Sequence, residues 1–330
     1  MTTTTGGRPG VGGDSPERAG GQLGSTGRFG DRMFFGLSAG AGILVVALIA
    51  LVAAFLIIQA VPALMKNKAN FLTDRVWDLS DPSNLRFGIP DLLWVTVIAA
   101  VIAMAIAVPV AMGVALFLTQ YAPKRLAAPF AYVVDLLAAV PSIIFGLWGI
   151  KVLLPYVAPV QDFVIKYLGW LPPFKDAGVS QGTIFLVSLV LSIMILPIVT
   201  ALSREIFAQT SPMHKEAALA LGATRWEMIR TAVLPFGRAG VISAAMLGLG
   251  RALGETIAVT IILSQVAGFN FSIFNGGATF ASLIANNAAE FDSPEKTGAF
   301  IAAGLVLFAL TFAVNAVARI VIERRKAFTE

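Results

Sequence analysis

The chain has 330 residues, 57% of them hydrophobic and only 13% charged, with a net charge of +5. Soluble domains are nearer half apolar and a quarter charged. A water-soluble enzyme, a solenoid, a disordered chain and a nucleic-acid binder are therefore excluded as the main body, and the composition is that of a polytopic membrane protein.

Ten of the first 30 residues are glycine and Thr2 to Thr5 form a run, so residues 1–33 are expected to be a flexible cytoplasmic tail. The apolar stretch behind it is too long for a signal peptide, and tail and first helix are expected in the mature protein. A bilayer core of about 30 Å needs about 20 mostly apolar residues per spanning helix. Six stretches meet this: Phe34–Pro62, Leu92–Gln120, Pro129–Tyr156, Thr183–Ser203, Gly237–Ala267 and Gly298–Val321. Backbone polar groups in lipid must be paired within each segment, and the alternating pattern of barrel strands is absent. The expected fold is all-α, a polytopic bundle of six transmembrane helices over residues 34–322. Residues 323–330, with Arg324, Arg325 and Lys326, form a basic tail suited to the inner leaflet. With the N-terminus inside, 15 of the 24 basic residues fall in cytoplasmic segments, eight fall outside and one, Arg251, lies within a span. This bias puts both termini in the cytoplasm. Trp94, Trp148 and Trp170 are aromatic-belt candidates.

The inner connection between the fourth and fifth spans, about residues 204–236, is long and not polar in a disordered way, which points to function. Ser211 suits a helix N-cap, Pro212 the first helical position and Gly222 a left-handed C-terminal cap. Thr224 and Glu227 have capping-box spacing, and Pro235 marks the start of the fifth span. The pattern predicts two short helices with a glycine joint. Such a knob fits a groove on a partner protein or lies on the lipid surface, and local physics leaves both open. His214 beside it is read as an exposed interface residue.

Two further stretches stand out inside the spans. Arg251 and Glu255 are four residues apart in the fifth, on one helical face and flanked by Gly248, Gly250 and Gly254. Ionisable residues at depth face a cavity or a partner. An arginine fork matches a phosphate or carboxylate, with Glu255 holding Arg251 when no substrate is bound. The bland reading is an ion pair that only sets packing. In the third span, Pro141 breaks the helix and exposes N–H groups that can bind an anion, with Ser142 adding a hydroxyl. An ordinary proline kink is the alternative. Asp135 is expected to be a structural partner for a basic residue.

The Glu216-Ala217-Ala218, Gly222 and Leu234-Pro235 pattern resembles the coupling signature of ABC importer permeases in matching register. It departs where the signature has isoleucine, which is Ala232 here, with Val233 next to it able to carry that apolar contact. Pro141-Ser-Ile-Ile-Phe-Gly-Leu-Trp-Gly149 with Gly250-Arg-Ala-Leu-Gly-Glu-Thr256 resembles the phosphate-specific permeases, the PstC-type subfamily in particular. The resemblance implies a type I ABC importer permease of the bacterial cytoplasmic membrane. Its loop docks a coupling helix into a separate ATPase, since this chain has no Walker A motif. It further implies passage of inorganic phosphate past Arg251 and Glu255. The implied partners are a second homologous permease (PstA-like), a cytoplasmic ATPase dimer using ATP and Mg, and an extracytoplasmic phosphate-binding protein docked on the long outer loops. Membrane lipid surrounds the assembly, no nucleic acid takes part, and no cofactor or metal is expected in this chain. The chain is then a transport subunit and not an enzyme. The alternatives are a permease for another oxyanion, such as sulfate or molybdate, and an ion-coupled secondary transporter working alone.

Overall fold

The computed structural model describes Thr2 and residues 27–81, 84–179, 181–266 and 270–326. Among these, six helices are long and apolar enough to cross a membrane. Residues 1–52 and 53–330 make two compact units. In the first, the described part is the beginning of helix α1 (Gly27–Lys66), whose large apolar side chains are exposed from Met33 onward. Such a surface is suited to hydrocarbon. The helix starts at Gly27, inside the expected flexible tail, and the rest of that tail, Thr2 apart, lies outside the described residues.

The second unit is built on the contact between α2 (Pro90–Leu116) and α6 (Ile184–Ala208). Ala99, Ala103, Ala107, Ala111 and Ala115 recur every fourth residue, and each is 2% exposed or less. That spacing lines them along one helical face. Lipid offers no hydrophobic drive between helices, so association depends on close packing, which methyl-sized side chains permit. The seam passes through three apolar clusters in turn: with Val187, Leu191 and Met194, then Val199 and Ala244, then Phe207 and Val233.

Prolines set the breaks. The second span ends in a π turn, Phe117–Tyr121, before Pro123. Pro141 then separates α3 (Lys124–Ala138) from α4 (Ser142–Trp148). A π turn over Gly149–Leu153 leads into α5 (Leu154–Leu168), which carries Pro155 in its first turn. The third span is therefore Ser142–Leu168 and not Pro129–Tyr156. Its expected first half is a separate helix, because proline lacks an N–H and crowds the carbonyl four residues back. Arg204 on α6 bonds Asp135 on α3 at 3.2 Å, the basic partner expected for that carboxylate.

The fifth span is also displaced. Helix α7 (Pro212–Ala220) is followed by α8 (Arg225–Met228), a π turn over Ile229–Val233, and α9 (Leu234–Gly254) without interruption. The membrane helix is thus Arg225–Gly254, in place of the expected Gly237–Ala267. The second coupling-loop helix is the foot of this span. A widened turn just before Pro235 absorbs the missing N–H and the ring. The chain turns extended at Glu255 and resumes as α10 (Ile257–Ile262). A Cβ on Gly146 would lie 3.1 Å from the Ala258 Cα, and one on Gly149 would lie 3.2 Å from the Ile262 Cδ1. Helices α4 and α10 therefore run parallel in close contact.

At the end opposite α7, Trp77–Asp78 (β1) and Arg86–Phe87 (β2) pair antiparallel. Phe87 packs in a fully buried group with Leu85, Phe280 and Phe300. Asn67 fixes this hairpin by donating to the Phe87 carbonyl at 2.7 Å and accepting from its N–H at 3.1 Å. A short helix, α11 (Phe280–Asn286), is capped by Thr279. The last helix, α12 (Pro294–Lys326), runs into the expected basic tail, of which residues 327–330 lie outside the described residues.

Gly146 is the closest approach of the two interrupted spans. Gly146→Val should destabilise the folded chain by about 1–3 kcal/mol through overpacking, seen as a lower Tm of the purified protein in detergent.

Candidate functional site

Two regions carry the residues singled out in the sequence. The first is the α7–α8 corner. Pro212 occupies the first helical turn of α7, but the Ser211 hydroxyl makes no capping bond. Gly222 has φ +84°, the left-handed conformation a helix-ending glycine supplies. Thr224 and Glu227 form the full capping box: the Thr224 N–H donates to Glu227 Oε2 at 2.8 Å, and the Glu227 N–H donates to Thr224 Oγ1 at 3.3 Å. Glu216, Ala217 and Gly222 are exposed, as are His214, Met213 and Leu219 on the same short helix, and Leu221 beyond it is 89% exposed. Partial burial holds the Lys215 ammonium below its ordinary pKa. Ala218 and Leu234 pack behind the corner on Phe207, Met228, Ile229 and Val233. Val233 is fully buried there. Pro235 is exposed directly after Leu234. The result is a braced apolar knob, an arrangement suited to a protein groove.

The second region surrounds Arg251. A cavity of ≈ 790 Å³ lies between α6, α9 and α12, lined by residues including Ile198, Met246, Gly250, Arg251, Asn315 and Arg319. The Arg251 Nε is buried with no hydrogen-bond partner among the described residues. An unmet charged donor at depth is costly, so the site stands ready for an acceptor. Of the flanking glycines, Gly248 lets Val199 approach, whereas a Cβ on Gly250 or Gly254 would meet open space.

Glu255 does not serve as expected. Arg251 ends α9 and Glu255 is extended beyond it, so the helical i,i+4 geometry is lost, and among the described residues the two form no ion pair. Glu255 Oε1 instead accepts the Ala258 N–H at 3.3 Å and caps α10. Neither Glu255 nor Ser142 lines the Arg251 cavity. The parallel register of α4 and α10 sets Ser142 level with the Gly254–Glu255 break. Asn315 and Arg319 were not singled out in the sequence as cavity residues. Their signal is a polar i,i+4 pair within an apolar helix. Trp148 and Trp170 are exposed as belt residues should be, but Trp94 stacks edge-to-face on Phe271 at 5.1 Å and is an internal anchor.

Comparisons with known proteins bear on both regions. Residues 107–327 match the family described as binding-protein-dependent transport system inner membrane component. The chain is 55% identical, over 88% of its length and 91% of the relative's, to the phosphate transport system permease protein PstC 2 of Mycobacterium tuberculosis. It is 57% identical to the phosphate transport system permease protein PstC of Mycobacterium leprae, over 81% of this chain and 85% of that one. Among solved structures, a bacterial ABC transporter involved in the import of the acidic polysaccharide alginate shares the fold at a TM-score of 0.56 and 15% identity, covering 90% of this chain and 99% of that one. The family match contains the α7–α8 knob and the arginine cavity alike, and the chain belongs to the inner-membrane components of binding-protein-dependent ABC transport systems.

Proposed function

We propose that this chain is the permease subunit of an ATP-driven importer of inorganic phosphate. The observation that carries the substrate is the likeness, over most of both chains, to permeases named for phosphate transport. The site chemistry supports it. Arg251 offers a buried, unpaired guanidinium N–H at a cavity wall, and a guanidinium fork matches phosphate oxygens. Glu255 holds the break in place as the α10 cap, leaving Arg251 to the anion. Ser142, level with that break, adds a hydroxyl to the path. The open side of the cavity is closed by a second, PstA-like permease.

Glu216, Ala217 and Gly222 form the face that enters a cleft of a cytoplasmic ATPase dimer, with Ala218, Leu234 and Pro235 as its base. Both termini are then cytoplasmic, and the opposite end receives an extracytoplasmic phosphate-binding protein. ATP and Mg act in the ATPase. Closure of that dimer tilts the fifth span, and the arginine cavity opens alternately to each side.

Arg251→Ala should reduce labelled-phosphate uptake about a hundredfold or more, the loss of two charge-assisted hydrogen bonds, while the complex still assembles. Normal uptake by that variant removes Arg251 from the path. Glu216→Lys combined with Gly222→Asp should leave ATP hydrolysis running without transport. A wild-type ratio of phosphate moved to ATP hydrolysed would count against the docking role.

A further inference from the structure

A second polar cavity lies at the end opposite α7. It has a volume of ≈ 590 Å³ and is formed by the β1–β2 hairpin, the first turns of α2, and residues on either side of the 267–269 stretch. Neither Arg251 nor Ser142 reaches it. Two of its lining groups have hydrogen-bonding capacity that the fold leaves unused. The Trp77 Nε1 donor and the Asp91 Oδ1 acceptor are buried without a hydrogen bond to any described residue. Asn275 is only 5% exposed. It lines the same cavity, and its backbone carbonyl accepts the Ile184 N–H at 2.9 Å. Arg75 stands at the same wall, its Nε 3.9 Å from Asp91 Oδ1 and its guanidinium carbon 5.6 Å from the Phe271 ring centre.

Unsatisfied buried polar groups each cost about 1–3 kcal/mol, so a donor and an acceptor left open at one cavity point to a ligand that completes both. That ligand must accept hydrogen bonds from the indole, the amide and the guanidinium. It must also donate one to a carboxylate. An apolar molecule does neither. A fully ionised oxyanion such as sulfate sets a negative oxygen against Asp91. Hydrogen phosphate accepts at its free oxygens and donates through its P–OH.

We propose that this cavity is an outer subsite for protonated phosphate, with Trp77, Asn275 and Arg75 holding its oxygens and Asp91 taking its proton in a hydrogen bond that rejects fully ionised oxyanions. The subsite rests on the phosphate reading above and lies ahead of Arg251 on the inward path.

The test is equilibrium binding of labelled inorganic phosphate to the purified transporter complex without its binding protein. All variants are made in an Arg251→Ala background, which removes the inner site. The background complex should bind phosphate, and excess sulfate should not compete. Adding Asp91→Asn should weaken phosphate binding about tenfold and allow sulfate to compete. Adding Trp77→Phe removes the donor but keeps a ring against Phe87 and Phe300, and should weaken binding several-fold with sulfate still excluded. It decides the matter if Asp91→Asn fails to assemble. Absence of phosphate binding in the background complex, or binding unchanged by both substitutions, overturns the subsite and leaves a cavity filled by water. Sulfate exclusion that survives Asp91→Asn overturns the selector role. If the wild-type importer takes up no phosphate, the functional reading falls and the subsite with it. Intact uptake with no outer binding sinks the subsite alone.

Discussion

The alanine seam between α2 and α6 is the contact on which the rest of the second unit depends. Five alanines at four-residue intervals offer only methyl groups on the α2 side, against which Val187, Leu191, Met194, Val199 and Phe207 of α6 pack closely. In water, burying such small side chains would contribute little. In a bilayer, where lipid is as apolar as leucine, close approach is what holds helices together. Helix α6 is consequently the most buried of the spans, and α3, α9 and α10 are arranged around it. A helix fixed on one side can present its other side to moving parts. The fold uses this: Ile198 on α6 lines the arginine cavity.

Around this fixed pair the two functional spans are interrupted. The third begins at Pro141 and the fifth turns at Glu255, and Gly146 and Gly149 let the short segments after each break pack in parallel. Non-helical backbone at membrane depth is tolerated where it is buried in protein or lines a cavity. Arg251 sits at the last turn before one of these breaks, so its charge and the irregular backbone share one neighbourhood.

The number of spans, the coupling corner and the arginine within the fifth span were legible in the sequence because each has a local cause. Hydropathy marks spans, Gly222 and the Thr224–Glu227 box mark a joint, and a lone arginine among apolar residues marks a site. The ends of the third and fifth spans were not legible. Apolar content is continuous across Pro141 and Glu255, and hydropathy cannot distinguish a kinked helix from two helices. The Arg251–Glu255 pairing failed for the same reason, since a spacing of four means one face only if the helix continues. The outer cavity was hidden differently: Trp77, Asp91 and Asn275 are brought together by the hairpin and by the return of the chain after α10, which are tertiary facts. The alanine repeat was visible, but alanine is also a common helix former, and only its burial identifies it as a seam.

The continuity of α8 with α9 ties movement at the α7–α8 corner to Arg251. Thirty residues from Arg225 to Gly254, at about 1.5 Å each, make a rod of about 45 Å. Its foot is the knob and its head carries Arg251. Such a rod acts as a lever: a rotation of about 5° at the foot displaces the Arg251 backbone by about 3 Å, the length of a hydrogen bond. The π turn at Ile229–Val233 is the one widened turn along it, so the lever's compliance is concentrated near its foot, and the segment from Leu234 to Arg251 moves as a regular α-helix.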